Sequence, residues 1–89
     1  MIVQFNKNIQ FTKLVKADGK LKEFNFRRVN GLHEAIFTID VSDERGNRIM
    51  IRTQKDNGLW KIQDQQVPAW IREVEGQFHD IIEEELKYT

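Results

Sequence analysis

Apolar and polar side chains alternate through the first two thirds of the chain, then give way to apolar positions three and four residues apart. Alternation marks a strand with one buried face, and the longer step marks a helix with one buried stripe. Residues 9–16 place Ile9, Phe11 and Val15 on one side and Thr12 and Leu14 on the other. Lys13 interrupts this pattern on the apolar side, which suits an edge strand, where an inward lysine deters further pairing. Ala17–Lys20 contains Asp18-Gly19, a hairpin signal. Residues 21–29 set Phe24 and Phe26 opposite Glu23, Asn25 and Arg27, and Asn30-Gly31 predicts a second tight turn. Residues 33–41 hold the clearest alternation, with Ala35, Phe37, Ile39 and Val41 against Glu34, Ile36, Thr38 and Asp40, and are expected to form a central strand.

Ser42–Asn47 is a polar turn. Residues 48–54 direct Ile49 and Ile51 inward and Arg48, Met50 and Arg52 outward. After Lys55–Gly58, with Asn57-Gly58 again of hairpin type, residues 59–63 direct Trp60 and Ile62 inward and Leu59 and Lys61 outward. Strands at this short, even spacing pair most simply with their sequence neighbours. A linker leads to Pro68, which fits the first position of a helix because its missing N–H would have no partner there. Trp70, Ile71, Val74, Phe78, Ile81, Ile82 and Leu86 then form one apolar stripe, predicting a single helix over 68–87.

The predicted fold is α+β: an antiparallel meander of four to five strands over residues 9–63 with one C-terminal amphipathic helix packed on one face. The whole chain, 1–89, forms one domain, with residues 1–8 as a short strand or an arm. A helix of about 19 residues is roughly 28 Å long. Five strands make a sheet roughly 20–24 Å wide. One helix therefore covers one face, and the other is solvated, curled on itself, or covered by another chain.

Composition narrows the function classes. The chain has no cysteine, which excludes disulfides, thiolate metal sites and thiol nucleophiles. Its 39% apolar and 31% charged residues are ordinary for a folded domain. No apolar run approaches the roughly 20 residues of a membrane span, so no membrane partner is expected, and the composition suits a cytoplasmic protein. The zero formal net charge hides an asymmetry. Residues 1–63 carry twelve Lys/Arg against seven Asp/Glu, a balance of +5, and residues 64–89 carry two against seven, a balance of −5. The sheet is basic and the helix acidic.

The uncovered face is the first candidate for function. Its interface candidates are Arg27, Ile36, Arg48, Met50, Arg52, Leu59 and Lys61. Ile36, Met50 and Leu59 fall on consecutive strands and are expected to form an apolar patch rimmed by Arg27, Arg48 and Arg52, a composition typical of protein interfaces. This points to a small non-enzymatic protein-interaction module that uses the uncovered face or an edge strand, with self-pairing as a homodimer one form of it. The same basic face, with Arg28 added, gives an alternative reading as a single-stranded nucleic-acid binder. Phe24, Phe26, Phe37 and Trp60 are all predicted on the core side, so that reading lacks exposed rings for bases to stack on. Four strands followed by a helix is similar in order to the single-stranded-DNA-binding transcriptional cofactors, although no motif of that family is present.

No catalytic set is evident: there is no phosphate loop, nucleophile elbow or dinucleotide fingerprint, and no cofactor is implied. Glu75, His79 and Glu83 align at four-residue steps on the helix, and His33 is the second histidine. Such a row on one helix does not encircle a metal ion and is expected to be a solvated face with weak Glu–His contacts. Asp80, Glu83, Glu84 and Glu85 crowd the helix end, where they oppose its dipole. Trp60 and Trp70 are expected to pack together where helix meets sheet, with a small-ligand pocket beneath that corner as a second alternative.

Overall fold

A computed structural model describes residues 9–30, 35–63 and 65–87. In chain order they form β1 (Gln10–Ala17), β2 (Lys20–Asn30), β3 (Ala35–Ser42), β4 (Arg48–Asp56), β5 (Leu59–Ile62), α1 (Ala69–Arg72) and α2 (Glu75–Lys87). The expected strand or arm in residues 1–8, the turn glycine Gly31, and His33, Glu34 and Asp64 lie outside the described residues.

Each strand pairs antiparallel with the next in the order β1-β2-β3-β4-β5, and the sheet curls. The architecture is the predicted α+β meander with a C-terminal helix. Two hairpins close through left-handed residues at both central positions. Asp18 and Gly19 have φ 56° and 74°, and Asn57 and Gly58 have φ 53° and 82°. This is the type I′ pattern, whose twist matches that of the flanking strands. Between β3 and β4 the Asp43 carboxylate accepts hydrogen bonds from the backbone N–H groups of Arg45 (2.9 Å) and Asn47 (2.8 Å). That side chain holds the longer turn shut.

Alternation then sorts the side chains. Val15, Phe24, Phe26, Phe37, Ile39, Val41, Ile51, Trp60 and Ile62 are buried on the helix side of the sheet. Lys13 lies on that same side, opposite Phe24 on edge strand β1, yet stays exposed. From the helical segment Ile71, Val74, Phe78 and Ile82 complete the core. Phe78 sits at its centre, with ring centroids 5.5 Å from Phe24 and 6.0 Å from Phe26. The buried Thr53 hydroxyl donates to the Phe37 carbonyl at 3.0 Å, which satisfies the one polar side chain fully inside among the described residues.

Two expectations about the helix are corrected. Pro68 caps α1 rather than occupying its first turn, and its carbonyl accepts from Ile71 and Arg72 N–H at 3.0 and 3.3 Å. The helix is also interrupted at Glu73–Val74. There Val74 N–H bonds to Ile71 O (3.1 Å) and Gln77 N–H to Val74 O (2.9 Å), both three residues back. Tighter winding eclipses side chains three apart, so Ile71 and Val74 both point into the core.

The position of Phe78 between two strand phenylalanines makes it the most costly side chain to truncate. Phe78→Ala should destabilise the fold by about 3–5 kcal/mol, measured as the shift in urea unfolding midpoint at unchanged m-value.

Candidate functional site

The face opposite the helix carries the second set of alternating residues. Strand register arranges them in rows across the sheet. One row runs Gln10, Arg27, Thr38, Arg52 from β1 to β4. Beside it on one side runs Thr12, Asn25, Asp40, Met50. On its other side runs Val29, Ile36, Gln54, Lys61. Leu59 lies further along, opposite Asp56.

This register separates the expected apolar patch. Met50 and Ile36 fall on opposite sides of the arginine row, and Leu59 pairs next to Asp56 rather than next to either. Met50 stands four residues from Gln54, the partner of Ile36, a displacement of roughly 13 Å along the strand. Consecutive strands alone do not make neighbours; the pairing offset decides. The arginines therefore lie at the centre of the face, and the apolar residues flank them. Arg28 is corrected as well. It lies opposite Phe37 on the helix side, and its Nε is buried without an acceptor among the described residues.

A polar ladder holds one side of the face. The Thr12 hydroxyl donates to Asn25 Oδ1 (2.6 Å), Asn25 Nδ2 donates to Asp40 Oδ1 (2.9 Å), and Arg48 Nη2 donates to Asp40 Oδ2 (2.9 Å). Arg48 is thus spent on Asp40. Burial pushes the Asp40 carboxyl upward, but the hydrogen bonds from Arg48 and Asn25 and the Arg48 charge outweigh it and hold the group below its ordinary value. Arg27 and Arg52 have no carboxylate within ion-pair distance among the described residues. They bracket Thr38, one strand away on each side. Two shallow depressions of about 460 and 450 Å³ lie on this face and share Thr38 and Met50 in their walls. Among the described residues no aromatic ring projects from it.

The two edges of the sheet differ. Along β5 the helix supplies side chains where a sixth strand would supply backbone. Glu75 Oε2 accepts from Ile62 N–H at 2.7 Å, and His79 Nδ1 accepts from Trp60 N–H at 3.1 Å. One turn further, Glu83 pairs with Lys55 at 3.1 Å. The match is geometric: four helical residues rise about 6 Å and two strand residues about 6.8 Å, so a four-residue helical step can follow alternate strand N–H groups. The row Glu75, His79, Glu83 is an edge cover, a role that helix periodicity alone does not reveal. Where β5 stops short, Gln65 continues the cover. Its Oε1 accepts from Arg52 N–H (3.0 Å) and its Nε2 donates to Met50 O (2.7 Å). Edge β1 has no comparable cover among the described residues. Two strongly exposed leucines, Leu14 (62%) on β1 and Leu21 (68%) near the start of β2, lie close to it.

The tryptophans are not brought together. Trp60 is buried edge-on to Phe37 at 5.1 Å, with its indole N–H lacking an acceptor among the described residues. Trp70 is half-buried beneath the Lys22 ammonium, 4.8 Å from the ring. A cavity of about 190 Å³ adjoins Trp60, His79 and Gly76, away from Trp70. Among the described residues no three His, Asp or Glu side chains converge on a common point for a metal, and no helix is long and apolar enough to cross a membrane.

No protein-family model, no curated protein and no solved structure matches the chain.

Two outcomes follow from these contacts. Glu75→Ala leaves the partly buried Ile62 N–H without its acceptor and should cost about 1–3 kcal/mol, with faster hydrogen exchange at that amide in the same variant. The Asp40 and Asp43 carboxyls both sit below their ordinary values, the latter chiefly through the Asn47 N–H bond. A depressed carboxyl stabilises fully above the unfolded value near 3.9 and loses that contribution as pH falls through the lower folded value. Asp40→Asn should therefore lower the melting temperature at neutral pH and flatten its fall below about pH 4; an unchanged acid limb would remove the ladder from this account.

Proposed function

We propose that this chain is a small non-enzymatic protein-interaction module that receives its partner on the helix-free face of the sheet. The observation carrying the reading is that this face presents two arginines, Arg27 and Arg52, with no carboxylate partner among the described residues, at the centre of a surface that no described element covers. Charged side chains left unpaired beside shallow depressions, with Met50 52% exposed alongside, resemble a polar interface with apolar flanks. A face-to-face homodimer centred on Thr38 is disfavoured, because a two-fold axis there sets the arginines of one copy against those of the other. Nucleic acid is disfavoured by the lack of exposed rings on this face among the described residues. The proposal includes a cytoplasmic setting, which rests on composition.

Photo-crosslinking tests it. A benzophenone side chain at Met50, on the face, should give one discrete adduct in an extract of the native cells, and excess unlabelled protein should compete it away. The same group at Glu84, exposed on α2, should give none. Equal labelling from both positions would sink the reading.

A further inference from the structure

We infer that the Arg27–Thr38–Arg52 row is a carboxylate-binding site, and that its ligand is an extended peptide segment with one acidic side chain flanked two residues away on each side by apolar ones. This rests on the proposed docking face and names the chemistry it accepts.

Among the described residues the face carries Lys16, Arg27, Arg48, Arg52 and Lys61 against Glu23, Asp40 and Asp56. Asp40 is neutralised by Arg48 at 2.9 Å. Glu23 lies four residues from Arg27 and Asp56 four from Arg52, each roughly 13 Å away along its strand. The two central guanidiniums therefore share a region that no carboxylate among the described residues neutralises at contact range. Arginine forks are suited to carboxylates, which they bind through paired N–H donors. Thr38, between them, spends its hydroxyl proton on only a long bond to Arg27 O at 3.4 Å.

The row nearest on one side contains Met50, and the row on the other contains Val29 and Ile36, directly paired across β2 and β3. Rows on one face are two residues apart, about 6.8 Å, which is also the repeat of same-side residues in an extended peptide. A peptide laid along the strand direction with its carboxylate over Thr38 sets its neighbouring same-side residues over Ile36 and over Asp40, where Met50 lies alongside on β4. Val29 is 40% and Met50 52% exposed, so burying them adds apolar contact to the ion pairs. A single nucleic-acid strand would use the arginines but find no ring to stack on among the described residues, and it would leave Val29, Ile36 and Met50 unused.

Fluorescence anisotropy tests the site with a labelled peptide that has leucine-serine-glutamate-serine-leucine at its centre and polar flanks. Expected is saturable binding at about 25 mM salt that weakens severalfold at about 150 mM. The double variant Arg27→Gln/Arg52→Gln should bind at least about tenfold more weakly. Lys16→Gln, at the far end of β1, should change affinity less than about twofold. The same urea midpoint in both variants shows that their folds are intact. A glutamine-for-glutamate peptide should bind as weakly as the double variant does. The inference is overturned by absence of binding at low salt, by equal binding of the glutamine peptide, or by tighter binding of an oligothymidylate of similar length. If the peptide fails while the Met50 adduct still forms, the acidic-ligand chemistry is wrong and the docking face stands. If the adduct is also absent, both fall.

Discussion

Phe78 meets Phe24 and Phe26 in the middle of the sheet, and this aromatic contact decides which face of the protein is inside. The described residues offer one long helix to place against five strands. Once Phe78 is seated, Ile71, Val74 and Ile82 follow onto the same side, and the interruption at Glu73–Val74 lets the first two reach the core together. The opposite face is then left without a described element over it. Its polarity is consistent with that. Thr12, Asn25, Asp40 and Arg48 satisfy one another in a ladder that needs no burial to be stable.

Helix placement also settles the edge problem on one side. An unpaired strand edge invites other strands, and proteins blunt it with charge, short strands or cover. Here β5 is only four residues long, and Glu75 and His79 occupy its outward N–H groups. Gln65 does the same for the part of β4 that extends past it. On β1 the defence is different: Lys13 points to the apolar side and stays exposed, and a lysine there opposes the burial that a paired strand would bring. The helix thus has two duties, filling the core with one stripe and capping an edge with the adjacent row of polar side chains.

Much of this was legible in the sequence, and the limits have physical causes. Alternation assigned Phe24, Phe37, Ile51 and Trp60 to one side correctly, because in a strand the side of a residue depends only on its parity. Asp18-Gly19 and Asn57-Gly58 located two hairpins because few residues tolerate left-handed backbone. Parity does not set register, and register is what parted Ile36, Met50 and Leu59. Arg28 falls on the core side by parity alone, which it shares with Phe24 and Phe26. The edge-capping role of Glu75 and His79 was hidden because helical spacing shows only that residues align, not what they align with. Trp60 and Trp70 are near in sequence, yet a linker and a turn separate them, and Trp70 settles beneath Lys22 on β2 instead.

The register that dissolved the apolar patch also changes what kind of recognition the face supports. A contiguous patch of Ile36, Met50 and Leu59 would have favoured a partner chosen by area, with little demand on sequence. Apolar residues divided by an arginine row ask for alternation instead. A wholly apolar segment laid there would bury Arg27 and Arg52 against nothing that neutralises them, which costs more than the flanking contacts return. A wholly acidic segment would meet the arginines but leave Met50, Val29 and Ile36 in water and set a carboxylate near Asp40. Discrimination on the proposed docking face therefore comes from the penalties as much as from the contacts. The Asp40–Arg48 pair contributes by neutralising the charge beside Met50, so on that side the unpaired arginines and the apolar surface stay one strand repeat apart.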